Sequence, residues 1–273
     1  LVNIILVAIY FLCNFRINVS VMKWSKYLRR LKMTTPLIQV QGLKKYFKTS
    51  RGMLHAVDNI NLSINKGETL GVVGESGCGK STLGRVIVRL LEATEGKVLF
   101  DGQNVLEYNG KNLKKMRKTM QIIFQDPYSS LNPRKSIGDI ISEPIKVNKI
   151  LMDRISIERR VKELMETVGL SQRQINTYPH ELDGGRRQRV GVARALSVNP
   201  KFIVCDEPVS ALDVSIQAQI LNLLMDLQED HGLTYLFITH DLSVVKHISN
   251  EIAVMYLGQC IEKASSEVLF DRP

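Results

Sequence analysis

The stretch GESGCGKST, residues 74–82, follows the apolar run LGVV (70–73) and precedes the helical pattern STLGRVIVRLL (81–91). Its spacing matches G-x-x-x-x-G-K-[ST] between a strand and a helix, the context in which that pattern forms a phosphate-binding loop. Glycines let backbone N–H groups turn inward around phosphate oxygens, and the N-terminus of the next helix adds a positive dipole end. The predicted cradle consists of Gly74, Glu75, Ser76, Gly77, Cys78, Gly79, Lys80, Ser81 and Thr82. In this pattern Lys80 reaches the β- and γ-phosphates and Ser81 binds Mg²⁺.

The runs of apolar residues predict a buried sheet with helices around it. LGVVG (70–74), FIVCDEP (202–208) and TYLFITHD (234–241) are nearly continuous, which is typical of strands buried on both faces. From Ile38 onward such runs alternate with helical patterns, as in α/β proteins. The stretch from about 126 to 196 contains helix-like segments and no comparable strand, so we expect an inserted helical subdomain there.

A second helical pattern follows residue 213. Apolar side chains recur at helical spacing and a glycine comes after the last of them, which predicts a core helix with a C-terminal cap. These residues are Ile216, Ile220, Leu223, Leu224, Leu227 and the glycine Gly232.

Polar residues at the ends of the predicted strands complete a candidate hydrolytic site. Asp206 and Glu207 end the second run, at the sheet edge where open α/β sheets bind ligands. We expect Asp206 to hold Mg²⁺, directly or through water, and Glu207 to polarise the attacking water. His240 ends the third run and is placed to contact the γ-phosphate. Gln125, after QIIF, offers its amide oxygen to the metal or the water.

Charge and cysteine content argue against nucleic-acid binding and against a structural metal site. Lys plus Arg number 37 and Asp plus Glu 27, a net charge of +10, but six basic residues lie in residues 1–32, before the first acidic residue, Asp58. In the remaining chain the excess of basic over acidic residues is modest, which argues against a dedicated nucleic-acid binder. The four cysteines lie far apart, with no metal-binding spacing, which favours a reducing cytosolic compartment and no structural metal.

Residues 1–32 are an apolar stretch followed by a basic one. LVNIILVAIYFLCNF (1–15) is shorter than a spanning helix of roughly 18 to 20 residues and lacks the flanks of a signal peptide. It is a short membrane anchor, an interfacial helix with MKWSKYLRRLK (22–32) on anionic lipid, or upstream sequence that is not translated. We favour the last alternative because Met33 begins MTTPLIQVQGLKKYF, which resembles a natural start.

Taken in order, the motifs resemble those of an ABC transporter ATPase subunit. They are Tyr46 (the adenine-stacking aromatic), GESGCGKST (Walker A), QIIFQDP (Q-loop), LDGGRRQR (signature), FIVCDEP (Walker B), SALD (the D-loop: Ser210, Ala211, Leu212, Asp213) and ITHD (switch histidine). The resemblance runs from about Ile38 to the end of the chain. It implies a P-loop NTPase core of mainly parallel sheet, with an N-terminal antiparallel β subdomain and the inserted helical subdomain, so that residues 33–273 form one ATP-binding domain.

The stretch FQDPYSSLNPRKSIGDIISEPI (124–145) resembles the ATPases of oligopeptide and dipeptide importers more specifically. The resemblance implies that the chain energises the import of oligopeptides, dipeptides or a related solute such as nickel. The resemblance implies two cofactors, ATP and Mg²⁺. It also implies a second ABC ATPase subunit, transmembrane permease subunits contacted near Gln125, and an extracellular solute-binding protein acting indirectly. The chain is then a peripheral protein on the cytoplasmic face of the membrane. Family members usually continue beyond SEVLFDRP (266–273), so we expect this chain to be shorter.

The signature departs from the family pattern L-S-G-G-Q. It consists of Leu182, Asp183, Gly184, Gly185 and Arg186. In the family the serine hydroxyl and glycine amides donate hydrogen bonds to the γ-phosphate bound by the partner, whereas an ionised Asp183 only accepts. Repulsion at about 4 Å is on the order of 4 kcal/mol per charge pair at an effective dielectric near 20, and pairing with Arg186 offsets part of it. We therefore expect an asymmetric heterodimer in which this chain's own cradle supports hydrolysis and its signature does not.

Three alternatives remain open at this stage. The departures at 183 and 186 are a sequence variant or error. The chain is a non-catalytic ATP-binding regulatory module, against which Glu207 is the main objection. Or it is a soluble ABC ATPase, a class that commonly carries two cassettes or long insertions.

Overall fold

The computed structural model describes residues 36–50 and 52–271. The predictions for residues 1–32 and for a start at Met33 lie outside the described residues. Within the described part, no helix is both long enough and apolar enough to cross a membrane.

A six-stranded, mainly parallel sheet forms the centre of the fold. Its order is β10-β9-β3-β8-β7-β6, and only β10 runs antiparallel to its neighbour. The strands are β3 (Thr69–Gly74), β6 (Met120–Ile123), β7 (Phe202–Asp206), β8 (Thr234–Ile238), β9 (Glu251–Tyr256) and β10 (Gln259–Ser265). The three predicted buried strands are confirmed as β3, β7 and β8, with every residue of β7 and β8 buried. Because β7 ends at Asp206 and β8 at Ile238, the polar residues that follow them lie in loops at the same sheet edge.

A second sheet, entirely antiparallel, confirms the predicted N-terminal β subdomain. Its order is β2-β1-β4-β5. The strands are β1 (Pro36–Thr49), β2 (Gly52–Asn65), β4 (Glu95–Phe100) and β5 (Gln103–Asn104). The β1–β2 register shifts three times between Val40 and Tyr46, so the pairing of aromatic residues there does not follow from simple alternation.

The first helix, α1 (Lys80–Ile87), packs very closely on the central sheet. A Cβ added at Gly84 would lie 2.8 Å from Val204 and 2.9 Å from Ile238, so only glycine allows this approach. The close packing brings the first turn of α1 beside the end of β7.

Helices fill the chain between β6 and β7, where the sequence predicted them. They are α3 (Pro127–Ser130), α4 (Ile137–Val147), α5 (Arg154–Thr167) and α6 (Gly184–Leu196), with 3-10 turns at Gln172–Asn176 and Pro179–Glu181. Their apolar residues, including Ile140, Leu164 and Val190, form one buried cluster that continues to Phe237 of β8. The remaining helices are α2 (Gly110–Thr119), α7 (Val214–His231), α8 (Leu242–Ile248) and α9 (Ser266–Asp271), with a 3-10 turn at Val105–Glu107.

Helix α7 confirms the helix predicted after residue 213. It ends at Gly232, whose left-handed backbone (φ 62°, ψ 33°) is the conformation expected of a glycine cap. Ile220, Leu224 and Leu227 are buried, while Ile216 and Leu223 are partly buried against the same core.

Candidate nucleotide-binding site

Backbone carbonyl groups of the loop between β3 and α1 hold the side chain of Lys80. The Lys80 ammonium donates to the carbonyl oxygens of Gly74 (2.7 Å) and Glu75 (2.8 Å), and the residue is only 4 % exposed. Among the described residues no carboxylate lies within 4.0 Å of it. A buried ammonium with carbonyl partners and no counter-ion is suited to bind an anion.

The N-terminus of α1 has no capping side chain and is therefore also suited to bind an anion. Gly79 precedes the helix with φ 106° and ψ 0°, and no side chain caps the first turn. The N–H groups at that end therefore remain available to phosphate oxygens, together with the positive end of the helix dipole.

Ser81 and Asp206 form the oxygen-rich part of the site. The Ser81 hydroxyl donates to Asp206 Oδ1 at 2.6 Å, and Arg85, one turn further along α1, places Nη2 3.5 Å from Asp206 Oδ2. The Asp206 side chain is 1 % exposed. Its carboxylate and the serine hydroxyl are hard oxygen donors of the kind that Mg²⁺ uses together with substrate phosphates. In the described residues no group of three or more His, Cys, Asp or Glu could hold a metal ion.

Glu207 contacts side chains from two other loops. Gln125 Nε2 donates to Glu207 Oε2 at 2.9 Å, and His240 Nδ1 lies 3.3 Å from the same oxygen. These residues follow β6, β7 and β8, neighbouring parallel strands whose carboxyl ends share one edge. Glu207 adopts a positive φ of 49°, uncommon for a non-glycine residue, which turns its side chain away from the strand direction. The structure thus brings together Gln125, Glu207 and His240, the three residues predicted at the ends of neighbouring strands.

Tyr46 lies in a network that the sequence did not reveal. Its hydroxyl donates to Asp58 Oδ1 at 2.5 Å, and its ring stacks on His55 with centroids 3.9 Å apart and planes 18° apart. Donation from Tyr46 lowers the pKa of the Asp58 carboxyl, while the same hydrogen bond raises the pKa of the Tyr46 phenol. No spacing in the sequence pairs His55 with Tyr46, because the shifted β1–β2 register creates that contact.

The signature residues begin α6, and Asp183 is its N-cap. Asp183 Oδ1 accepts from the backbone N–H of Arg186 at 2.7 Å, and Arg186 Nε lies 3.3 Å from Oδ2. Leu182 is buried. A Cβ at Gly184 would lie 3.1 Å from Leu212 and one at Gly185 would lie 2.6 Å from Ile216, so the signature glycines pack closely on the D-loop and the start of α7.

The D-loop also contacts Glu207. The Ser210 hydroxyl donates to the Glu207 carbonyl at 3.1 Å, Ala211 is exposed, and Asp213 precedes α7 without capping it through its side chain. No hydrogen bond or ion pair joins residues 182–186 to the cradle within the described part of the chain.

Arginines of α6 connect this helix to the segment after Gln125. Arg187 lies over the Tyr128 ring at 5.0 Å and donates to the Pro179 carbonyl at 2.7 Å. Arg194 Nη1 donates to the Ser130 carbonyl at 2.6 Å, and burial lowers the pKa of its guanidinium. The sequence does not predict these contacts or that of Arg85, because arginines at helical spacing are equally typical of a solvated helix face.

The chain matches the protein family described as ABC transporter over residues 57–210. That range includes the cradle, Gln125, the signature, Asp206 and Glu207, and excludes Tyr46 and His240.

Similar proteins point to peptide transport. The chain is 55% identical over 242 residues to the oligopeptide transport ATP-binding protein OppF of Bacillus subtilis, covering 88% of this chain and 79% of that protein. It is 50% identical over 251 residues to the dipeptide transport ATP-binding protein DppF of Haemophilus influenzae, covering 89% and 76%. Among solved structures, the dimeric post-hydrolysis state of the ATP-binding cassette MJ0796 bound to ADP and Pi matches with a TM-score of 0.77 and 30% identity, over 84% of this chain and 98% of that one.

Proposed function

The chain belongs to the ABC transporter family, and we propose that it is one of two unequal ATPase subunits that together energise a peptide importer. Its function is to bind and hydrolyse ATP for the import of oligopeptides or dipeptides, which the family match and the relatives support. The observation that carries the hydrolytic role is the meeting of Gln125 and His240 at Glu207. A non-catalytic regulatory module would not need this cluster. The relatives are transport ATP-binding proteins, which argues against a soluble ABC ATPase.

The cradle residues bind and orient the triphosphate. Lys80 and the open N-terminus of α1 neutralise the β- and γ-phosphates, while Tyr46 belongs to the platform for the base. A bound Mg²⁺ would supply positive charge that offsets the negative charge developing during phosphoryl transfer. Ser81 and Asp206 would hold it, with the Gln125 amide oxygen as a further donor because its Nε2 already faces Glu207.

Glu207 would act as the general base. Its carboxylate would accept the proton of the attacking water. Gln125 and His240, which contact Oε2, would keep the carboxylate at the shared sheet edge, where we place the γ-phosphate. Catalysis of phosphoryl transfer consists mostly of positioning and electrostatic stabilisation, which is what this arrangement supplies.

The asymmetry follows from the Asp183 cap. The Asp183 carboxylate accepts the backbone N–H of Arg186 and, unlike a serine hydroxyl, has no proton to donate to a γ-phosphate. That carboxylate also offsets the positive end of the α6 dipole, so the site that would receive the partner's ATP carries its own anion. The side chain is 61% exposed, and solvent therefore screens part of the repulsion on the order of 4 kcal/mol expected at close range. The partner's ATP is bound weakly or held without turnover, while the site built from this chain's cradle hydrolyses ATP with the partner's signature.

A groove near the Q-loop is the proposed permease contact. Pro133, Thr177, Tyr178, His180 and Glu181 line a cavity of about 530 Å³. Arg187 and Arg194 join this region to α6, so movement of the Gln125 segment would be transmitted to the signature helix. We place the subunit on the cytoplasmic face of the membrane as a peripheral protein, with an extracellular solute-binding protein acting through the permease.

The test is the ATPase rate against protein concentration, for the 273-residue chain alone and mixed with an importer ATPase subunit that carries L-S-G-G-Q. We expect little activity alone, activity with the partner, and activity alone once Asp183→Ser restores a donor. Brisk, cooperative activity of the chain by itself, unchanged by Asp183→Ser, would contradict the asymmetric pair.

A further inference from the structure

The base platform contains two rings instead of one. Tyr46 and His55 are direct cross-strand partners on β1 and β2, and their rings stack at a centroid distance of 3.9 Å. At that separation no base fits between them. One face of each ring is therefore covered by the other ring, and the His55 side chain remains 50% exposed.

The order of strands places His55 on the side of the phosphate cradle. A Cβ added at Gly79 would collide with the Ala56 carbonyl, and one at Gly258 would collide with the His55 carbonyl. Gly258 also donates its N–H to the Cys78 carbonyl at 3.0 Å. Strand β2 thus runs against the cradle, whereas the other edge of β1 pairs with β4. The imidazole covers the Tyr46 face that is turned towards β2.

Tyr46 is fixed in this position at two points. Its hydroxyl donates to Asp58 at 2.5 Å, and its backbone N–H donates to Thr94 Oγ1 at 2.9 Å. Asp58 is held in turn by the Gln259 amide at 3.3 Å and by its own backbone bond to Gly258 at 2.8 Å. An anchored phenol ring cannot turn to offer its covered face to a ligand, whereas half of the His55 side chain is accessible.

We infer that His55 is the ring on which the adenine base of ATP stacks, with Tyr46 behind it as a fixed support. Histidine is one of the side chains on which nucleobases stack, and such stacking contributes to affinity without requiring hydrogen bonds to the base. This inference rests on the proposed ATP site. It assigns contact with the base to His55, whereas the family motifs assign base stacking to Tyr46 alone.

The experiment compares two ligands, Mg-ATP and inorganic tripolyphosphate, by equilibrium binding to the full chain. Tripolyphosphate occupies the cradle but has no base. We expect His55→Ala to weaken ATP binding about 10-fold and to leave tripolyphosphate binding within about 2-fold, with His55→Phe restoring ATP binding. His247→Ala, an exposed histidine on α8, is the matched control and should change neither ligand.

The outcomes separate this inference from the proposed function. If the unaltered chain binds both ligands and His55→Ala still binds ATP as tightly, while Tyr46→Ala loses it, Tyr46 alone is the platform and the inference is wrong. Equal weakening of ATP and tripolyphosphate by His55→Ala would also overturn it, because the effect would then be on the cradle. An unaltered chain that binds neither ligand would contradict the ATP site itself.

Discussion

The carboxylate of Asp183 accepts a 2.7 Å hydrogen bond from the backbone N–H of Arg186, and the guanidinium of Arg186 lies 3.3 Å from the same carboxylate. The residue that departs from the family signature is therefore a structural cap of α6 as well as a charge. A single substitution can separate the two roles, because serine caps a helix about as well as aspartate.

Asp183→Ser should leave folding stability within about 0.5 kcal/mol, whereas Asp183→Ala should lower it by about 1 kcal/mol through loss of the cap. Urea denaturation measures both. Asp153→Ala, which removes the equivalent cap from α5, is the matched control: it should cost a similar amount of stability without changing ATPase activity. Equal stability of the alanine and serine variants at 183 would mean that the cap contributes nothing.

Glu207→Gln should lower the ATPase rate by about 100-fold or more while ATP remains bound, because a positioned general base contributes that much and the amide preserves the shape of the side chain. Single-turnover hydrolysis and equilibrium binding with the partner present measure the two effects. Glu262→Gln, on exposed β10, should change neither. Retention of more than a tenth of the activity would assign the base to another group.

Arg85→Gln should destabilise the nucleotide-free chain by about 1 kcal/mol, because the buried Asp206 carboxylate loses its only counter-ion within 4.0 Å among the described residues. With saturating Mg²⁺ and nucleotide the difference should shrink, since the metal then balances that charge. Thermal unfolding with and without ligand gives both values. Arg154→Gln, which breaks the exposed pair with Glu158, serves as control. An equal loss in both states would show that Arg85 supports packing only.

Arg194→Met should cost about 1–3 kcal/mol of stability, because the Ser130 carbonyl loses a donor in a largely enclosed site. Urea denaturation of Arg194→Met and of the exposed Arg173→Met gives the comparison. If the two variants are equally stable, the bond between α6 and the segment after Gln125 does not contribute to folding.

Stability should depend on pH through Asp58. Hydrogen bonding from Tyr46 holds the pKa of this carboxyl below its ordinary value of about 3.9, so its contribution is complete above that value and is lost as pH falls through the lower folded pKa. Tyr46→Phe should therefore destabilise the protein at pH 6 and lose that effect in acid. Tyr128→Phe, whose ring still faces Arg187, should show no such pH dependence. A Tyr46→Phe deficit that stays constant from pH 6 down to acid would contradict the prediction.

Much of the site was predictable because its parts are local. The cradle, the strand before it and the helix after it are contiguous, and the end of a buried strand marks Asp206 and Glu207 wherever the strand lies. The residues that were missed, His55, Asp58 and Arg85, act through contacts with distant positions. Polar residues with such partners have no spacing of their own in the sequence.

By itself the sequence determined the phosphate loop, the α/β alternation, the family and the charge at position 183, since each depends on neighbouring residues or on composition. Tertiary structure alone decided which residues meet. Gln125, Glu207 and His240 converge because three parallel strands end at one edge, and His55 faces Tyr46 because the β1–β2 register shifts. It also made Asp183 the N-cap of α6, because a carboxylate just before a helix can accept one of the N–H groups that have no partner within the helix.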